Sequence, residues 1–201
     1  MKFVIATHNP AKLAEMQRIL APLGIEAVTG EMLGITLTEA EETGETFAEN
    51  AFLKADLACR ETGLPAIADD SGLCVEALGG APGVYSARFA PKGQYSEKLL
   101  EALKDVADED RGAYFVSHIC CVFPNGDTVT AEGRCNGVIG HEMHGTGGFG
   151  YDPVFTWKTG RTFAEMSAEE KDAISHRGVA MRGFVEKLTA YLSKRGTVYD
   201  Q

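Results

Sequence analysis

The chain has 201 residues, 44% hydrophobic and 24% charged, and a formal net charge of −10. That length supports one domain, residues 1–201, with room for two lobes around a real core. The acidic balance argues against a nucleic-acid binder, which carries basic patches, and no apolar run approaches the roughly 20 residues that span a bilayer.

"KFVIA" opens the chain as a buried strand, with no secretory leader pattern before it. "THNPAKLAEMQRILAPLG" follows as a helix, with Leu13, Met16, Leu20 and Leu23 on one face. Asn9 suits its N-cap, Pro10 its first position and Gly24 its stop. "IEAVTG" reads as a second strand, and "TFAENAFLKADLACRETG" as a helix opened by the capping box Thr46-x-x-Glu49. "LPAIA" predicts a strand that stops at Asp69-Asp70, and "SEKLLEALKDV" a helix. "AYFVSHICCVF" and "TVTAEGRC" read as strands joined by the Pro124–Asp127 turn, and "VFTW" as a short strand. The last third is helical, with a capping box at Ser167-x-x-Glu170 and a final helix from about Ser175 to Lys194. The early alternation followed by a hairpin predicts an α/β fold with a mixed sheet. Cysteines 59, 74, 120, 121 and 135 are odd in number and lack a CxxC pair. They fit reduced, buried thiols of a cytoplasmic protein better than disulfides or zinc ligands.

Five places carry chemistry. In the turn Thr7-His8-Asn9-Pro10-Ala11-Lys12, a helix N-terminus offers free N–H groups to a phosphate. Lys12 opposes the helix dipole there, either as a solvated side chain or because an anion lies between. Lys54 has no acid three or four residues away, so it reaches solvent or meets an anion elsewhere. Lys171, His176 and Arg177 gather cations near the start of the last helix, where an Arg fork and an imidazole can read a base edge or a phosphate. The loop "GTGGFGYDP" offers close backbone approach and the aromatic faces of Phe149 and Tyr151. Asp69 and Asp70, with Glu39, Glu41 and Glu42, form either a solvated turn and helix start or an oxygen cage for Mg²⁺. Together these are cations for phosphates, carboxylates for a metal and aromatics for a base.

"THNPAK", "EETGETFAENAFLKA", "AIADDSGLCVEALGGAPGVYSAR", "GTGGFGYDPVF" and "AISHRG" occur in that order. The set resembles the HAM1/inosine triphosphatase family, in particular its bacterial purine nucleoside triphosphate pyrophosphatases, over about residues 3–192. The resemblance implies an elongated mixed-sheet α/β fold with two lobes around a central cleft, and a homodimer. It implies Mg²⁺-dependent hydrolysis of ITP, dITP and XTP to the monophosphate and pyrophosphate, which removes deaminated purines from the nucleotide pool. By position it makes Thr7, His8, Asn9, Pro10, Ala11 and Lys12 the triphosphate turn, with His8 where the family more usually has glycine. It makes Glu41 and Asp70 metal ligands, Asp70 also the proton acceptor, and Ser71 and Lys54 substrate contacts. Phe149, Gly150, Tyr151 and Asp152 become the nucleoside loop, and Lys171, His176 and Arg177 the base-recognition cluster. Rival readings are an aspartyl phosphatase, for which "DDSG" lacks the DxDxT pattern, a non-catalytic nucleotide sensor, and a Maf-like enzyme acting on modified pyrimidine nucleotides.

Overall fold

One mixed sheet organises the chain: β1 (Lys2–Ile5), β2 (Glu26–Val28), β3 (Ala66–Val75), β4 (Gly112–Val122), β5 (Thr128–Ile139) and β6 (Phe155–Thr156) lie in the order β2-β1-β3-β4-β5-β6. The structure, a computed structural model, describes residues 1–194, the side chain of Leu23 excepted. β1 runs parallel to β2 and to β3, with Val4 opposite Ala66 and Ile5 opposite Ile67, whereas β6 is antiparallel to β5. The helices are α1 (Pro10–Leu20), α2 (Phe47–Thr62), α3 (Tyr95–Ala102), α4 (Ala168–Ile174) and α5 (His176–Lys194).

Local chemistry sets the helix boundaries. Asn9 Oδ1 accepts from Ala11 N and Lys12 N, and Pro10 takes the first position, where an N–H is not needed. A short 3-10 turn then carries the chain to Gly24, whose φ of 69° is left-handed. α2 starts at a reciprocal Thr46–Glu49 capping box and α4 at Ser167–Glu170. α3 stops at Ala102, short of the expected Val106, as the chain tightens into turns.

The chain divides into two compact units. The first comprises Met1–Asp70, Ser117–Gly133 and the C-terminal residues from Val179. Here the pleat sorts side chains by parity. Phe3, Ile5, Ile67, Ile119, Cys121 and Phe123 pack with Met16 and Leu20 of α1 and Met181, Phe184 and Leu188 of α5. Val4, Ala66, Ala68, Cys120 and Val122 pack with Ala51, Ala55, Ala58 and Cys59 of α2. The sheet is thus covered on both faces, and each fully buried Phe, Leu or Ile contributes about 1.5–3 kcal/mol. The second unit is Ser71–Val116 and Arg134–Gly178. Its core gathers Leu73, Val75, Leu99, Phe115, Ile139, Tyr151, Phe155 and Phe163.

One expectation is corrected. β3 does not stop at the aspartates; it runs unbroken through Asp69, Asp70 and Ser71 to Val75, and both acids are buried. Two buried charges persist inside a strand because each meets a cation from another element, as described next. All five cysteines are buried and free, as their spacing suggested.

Candidate active site

In the first unit, β1 delivers the chain to the turn before α1. Asn9 N donates to Thr7 Oγ1 at 3.1 Å, Asn9 Oδ1 takes the Ala11 and Lys12 N–H groups, and Asn9 O takes that of Leu13. Pro10 has no N–H, so the first four positions of α1 are all accounted for. Asn9 thus occupies the helix N–H groups of this turn, whose other polar groups are the Lys12 side chain, Thr7 and the exposed His8. Lys12 Nζ lies 2.8 Å from Asp69 Oδ2, so an internal anion offsets the dipole that Lys12 opposes. Asp69 Oδ1 accepts a hydrogen bond from Ser117 Oγ of β4.

Asp70, one residue on, points to the other face of β3 and meets α2. Lys54 Nζ lies 2.7 Å from Asp70 Oδ1 and 3.1 Å from Glu42 Oε1, so the anion that Lys54 lacked along its own helix comes from a strand and a loop. Asp70 Oδ2 is buried and has no hydrogen-bond partner. Burial pushes the Asp70 carboxyl up; Lys54 and Lys12 pull it down and Glu42 adds to the rise, leaving it above the usual carboxylate range. Burial works against the Lys54 ammonium, but Asp70, then Glu42 and Asp69, raise it above the ordinary lysine value. The site thus pairs a charged lysine with a carboxylate whose proton affinity is raised.

The acidic loop before α2 is held by a residue that sequence reasoning missed. Asn50 is fully buried; its Oδ1 accepts from Gly44 N at 2.8 Å and its Nδ2 donates to Gly44 O at 3.4 Å. A Cβ on Gly44 would stand 2.6 Å from Glu49 Cβ and 2.7 Å from Asn50 Oδ1, so glycine is required for this approach. The loop brings Glu42 to Lys54, while Glu41 is exposed. The only signal for Asn50 was an amide amid the alanines of a helix face; Ser117 sat unremarked in the apolar run of β4.

In the second unit, Asp152 ties the glycine-rich loop together. Its Oδ2 accepts from Phe149 N at 2.8 Å and from Lys171 Nζ at 2.7 Å, and both side chains of that ion pair are buried. A Cβ on Gly148 would fall 1.9 Å from the same oxygen. Tyr151 is an inward residue: its ring packs on Tyr95 at 5.5 Å and its hydroxyl donates to Ser86 O at 2.8 Å. Gly150 O accepts from Ser96 Oγ. Phe149 remains half-buried, with Lys171 Nζ 4.8 Å and Arg177 Cζ 5.8 Å from its ring centre. Arg177 Nη2 donates to Ser71 Oγ at 3.0 Å, and the buried His176 ring stacks on Phe115 at 4.6 Å. The structure thus joins Phe149, Asp152 and Lys171, and Arg177 with Ser71. A separate pocket of about 620 Å³ on β5 and β6 is lined by Arg134, Asn136, Trp157 and Lys158 and shares none of these residues.

The buried donor set is all oxygen on the acidic side, which suits a hard divalent cation, and Asp70 Oδ2 is an uncommitted ligand for one. Among the described residues no three His, Cys, Asp or Glu side chains form a ready cage, so phosphate oxygens and water would complete such a site.

An α/β protein with a lysine–aspartate cluster on one unit and a cation-flanked aromatic loop on the other has the parts of a nucleotide hydrolase. The chain belongs to the Ham1 family, whose model matches residues 3–187. It is 48% identical over 196 residues to a dITP/XTP pyrophosphatase of Yersinia pestis, covering 93% of this chain and 98% of that one. The corresponding figures for a dITP/XTP pyrophosphatase of Thermus thermophilus are 47% over 190 residues, 92% and 91%. A HAM1 protein structure from Coxiella burnetii superposes with a TM-score of 0.84 at 42% identity, covering 94% of this chain and 99% of that one.

Proposed function

We propose that this protein hydrolyses the triphosphates of deaminated purines, ITP, dITP and XTP, between the α and β phosphates, releasing the monophosphate and pyrophosphate. The observation that carries the reading is the buried Asp70 carboxylate, with Oδ1 fixed by Lys54 and Oδ2 uncommitted. Asp70 orients a water through Oδ2 and accepts its proton as the water attacks the α-phosphorus; a carboxyl with raised proton affinity suits that task. Lys12 and Lys54 hold the phosphates and offset the charge that grows on the leaving pyrophosphate. Thr7, His8, Asn9, Pro10 and Ala11 shape the phosphate turn. Mg²⁺ is the proposed cofactor, with Glu41 and Asp70 as its protein ligands. When bound, it supplies Lewis-acid polarisation of the phosphates.

The base falls to the second unit's residues. Phe149, the loop aromatic that stays partly exposed, takes the stacking role, while Tyr151 and Gly150 hold the loop's shape. Arg177 and His176 are donors for the 6-oxo oxygen, which an adenine amine cannot satisfy; unpaired donors then penalise ATP. Ser71 fixes Arg177, and Asp152 with Lys171 fixes the loop. The reading extends to a single two-lobed domain, supported by three strands, β3, β4 and β5, that each belong to both units. It extends also to a cytoplasmic homodimer, the five free thiols supporting the reducing compartment. Among the described residues no helix is long and apolar enough to cross a membrane.

The test is release of pyrophosphate from ITP, dITP, XTP, ATP, GTP and dTTP, with and without Mg²⁺. Metal-dependent release confined to the inosine and xanthine nucleotides is the expected result. Orthophosphate as product would move the cleaved bond, and turnover of dTTP alone would favour a pyrimidine-directed enzyme. Light scattering checks the dimer.

A further inference from the structure

Asp69 and Asp70 are adjacent, and the pleat separates their tasks. In the first-unit part of β3, the odd position Ile67 faces α1 and α5, and the even positions Ala66 and Ala68 face α2. Asp69 accordingly meets Lys12 of α1, and Asp70 meets Lys54 of α2. Their free valences differ as well. The Asp69 side chain has no exposed surface, and its two oxygens are both engaged, Oδ2 by Lys12 and Oδ1 by Ser117, itself fully buried. Asp70 keeps Oδ2 uncommitted. A carboxylate with no exposed surface and a partner on each oxygen is badly placed to serve a water or a metal, but it can hold a lysine in one place.

We propose that Ser117 and Asp69 are positioning residues for Lys12: the Ser117 hydroxyl fixes the Asp69 carboxylate, and the carboxylate fixes the ammonium where it meets the phosphate chain. The proposal rests on the reading above that Lys12 binds phosphate. A four-carbon side chain has many rotamers, and ordering it before the ligand arrives removes that cost from binding. β4 supplies the hydroxyl, so the position of Lys12 on α1 is set from the middle of the sheet, 48 residues beyond Asp69 in sequence. Without the hydroxyl, the buried carboxylate leans more heavily on Lys12 and draws the ammonium inwards, away from phosphate.

The test is a double-mutant cycle read by calorimetric binding of inorganic tripolyphosphate, a probe with no base and no need of turnover. Ser117→Ala is expected to weaken binding about tenfold, the effect of one hydrogen bond to a charged group. In a Lys12→Met background the same substitution is expected to change binding by less than about twofold, because the residue it acts through is gone. With dITP as substrate, Ser117→Ala should raise KM and leave kcat within about twofold, as for an interaction made equally in ground and transition states. Equal losses in both backgrounds would make Ser117 merely structural and overturn the proposal, as would unaltered binding by Ser117→Ala or no tripolyphosphate binding by the unsubstituted protein. Should Ser117→Ala fail to fold, Asp69→Asn takes its place in the same cycle. Failure of the unsubstituted protein to release pyrophosphate from dITP would instead sink the proposed activity, leaving the tripolyphosphate cycle to decide the positioning pair.

Discussion

The proposed chemistry converges on one carboxylate, Asp70, and an isosteric change isolates it. Asp70→Asn keeps the side-chain volume and removes the negative charge and the proton acceptor. Turnover is expected to fall by about 10²–10⁴, the range for losing a general base. The amide also leaves the Lys54 ammonium short of its buried anion, so the melting temperature should fall while the protein still folds. Steady-state rates and a thermal melt on the same sample check both halves; full activity would remove Asp70 from its role. Arg177→Ala reads selectivity in the same way. Loss of its donors should erode the preference for ITP over ATP, measured as the ratio of the two kcat/KM values. An unchanged ratio would assign the base contact elsewhere.

Elements are held by polar anchors that carry no motif. Asn50 pins the acidic loop to α2 through both amide atoms, and Gly44 leaves no room for a side chain. Asn50→Ala should cost about 1 kcal/mol or more in denaturant unfolding, since it removes both partly buried hydrogen bonds to Gly44. Arg111 does comparable work in the second unit. Buried at 2% exposure, it donates through Nε to Ile139 O, through Nη1 to Leu103 O and through Nη2 to Gly140 O, tying the segment after α3 to the end of β5. Arg111→Lys should fail to restore the stability lost in Arg111→Met, because one ammonium cannot span the planar fork. Urea midpoints of the three proteins test this. Neither anchor was legible beforehand, because backbone carbonyls accept from any suitable donor and leave no trace in residue spacing. The helix starts were legible for the opposite reason: Asn9-Pro10, Thr46-x-x-Glu49 and Ser167-x-x-Glu170 act over three residues or fewer.

At the scale of the molecule, the buried thiols predict an alkaline limit. Burial pushes Cys120 up to about 12 and Cys135 up to about 11, from an ordinary value of 9.0. Cys59, Cys74 and Cys121 are raised by the same cause. A raised folded value means that the native state holds its protons more tightly. Their stabilisation is complete below pH 9.0 and is lost as pH rises from there towards 11–12, where the unfolded chain alone ionises. Unfolding free energy measured from pH 8 to pH 11 should therefore decline, and iodoacetamide at pH 8 should label the native protein slowly, the thiolate being scarce. Rapid stoichiometric labelling of the native protein would contradict the burial.

The sequence by itself determined the α/β class, the helix starts, the hairpin, the unpaired thiols and the family, because each rests on local periodicity, a cap or a short ordered block. Only the tertiary structure decided that β3 continues through Asp69 and Asp70, because the cations that stabilise those charges come from α1 and α2. The tertiary structure also divided the two aspartates between opposite faces of the sheet and turned Tyr151 inwards. It also engaged the Ala11 and Lys12 N–H groups with Asn9. Each of these depends on which distant group lies opposite, and a linear pattern of residue types does not carry that information.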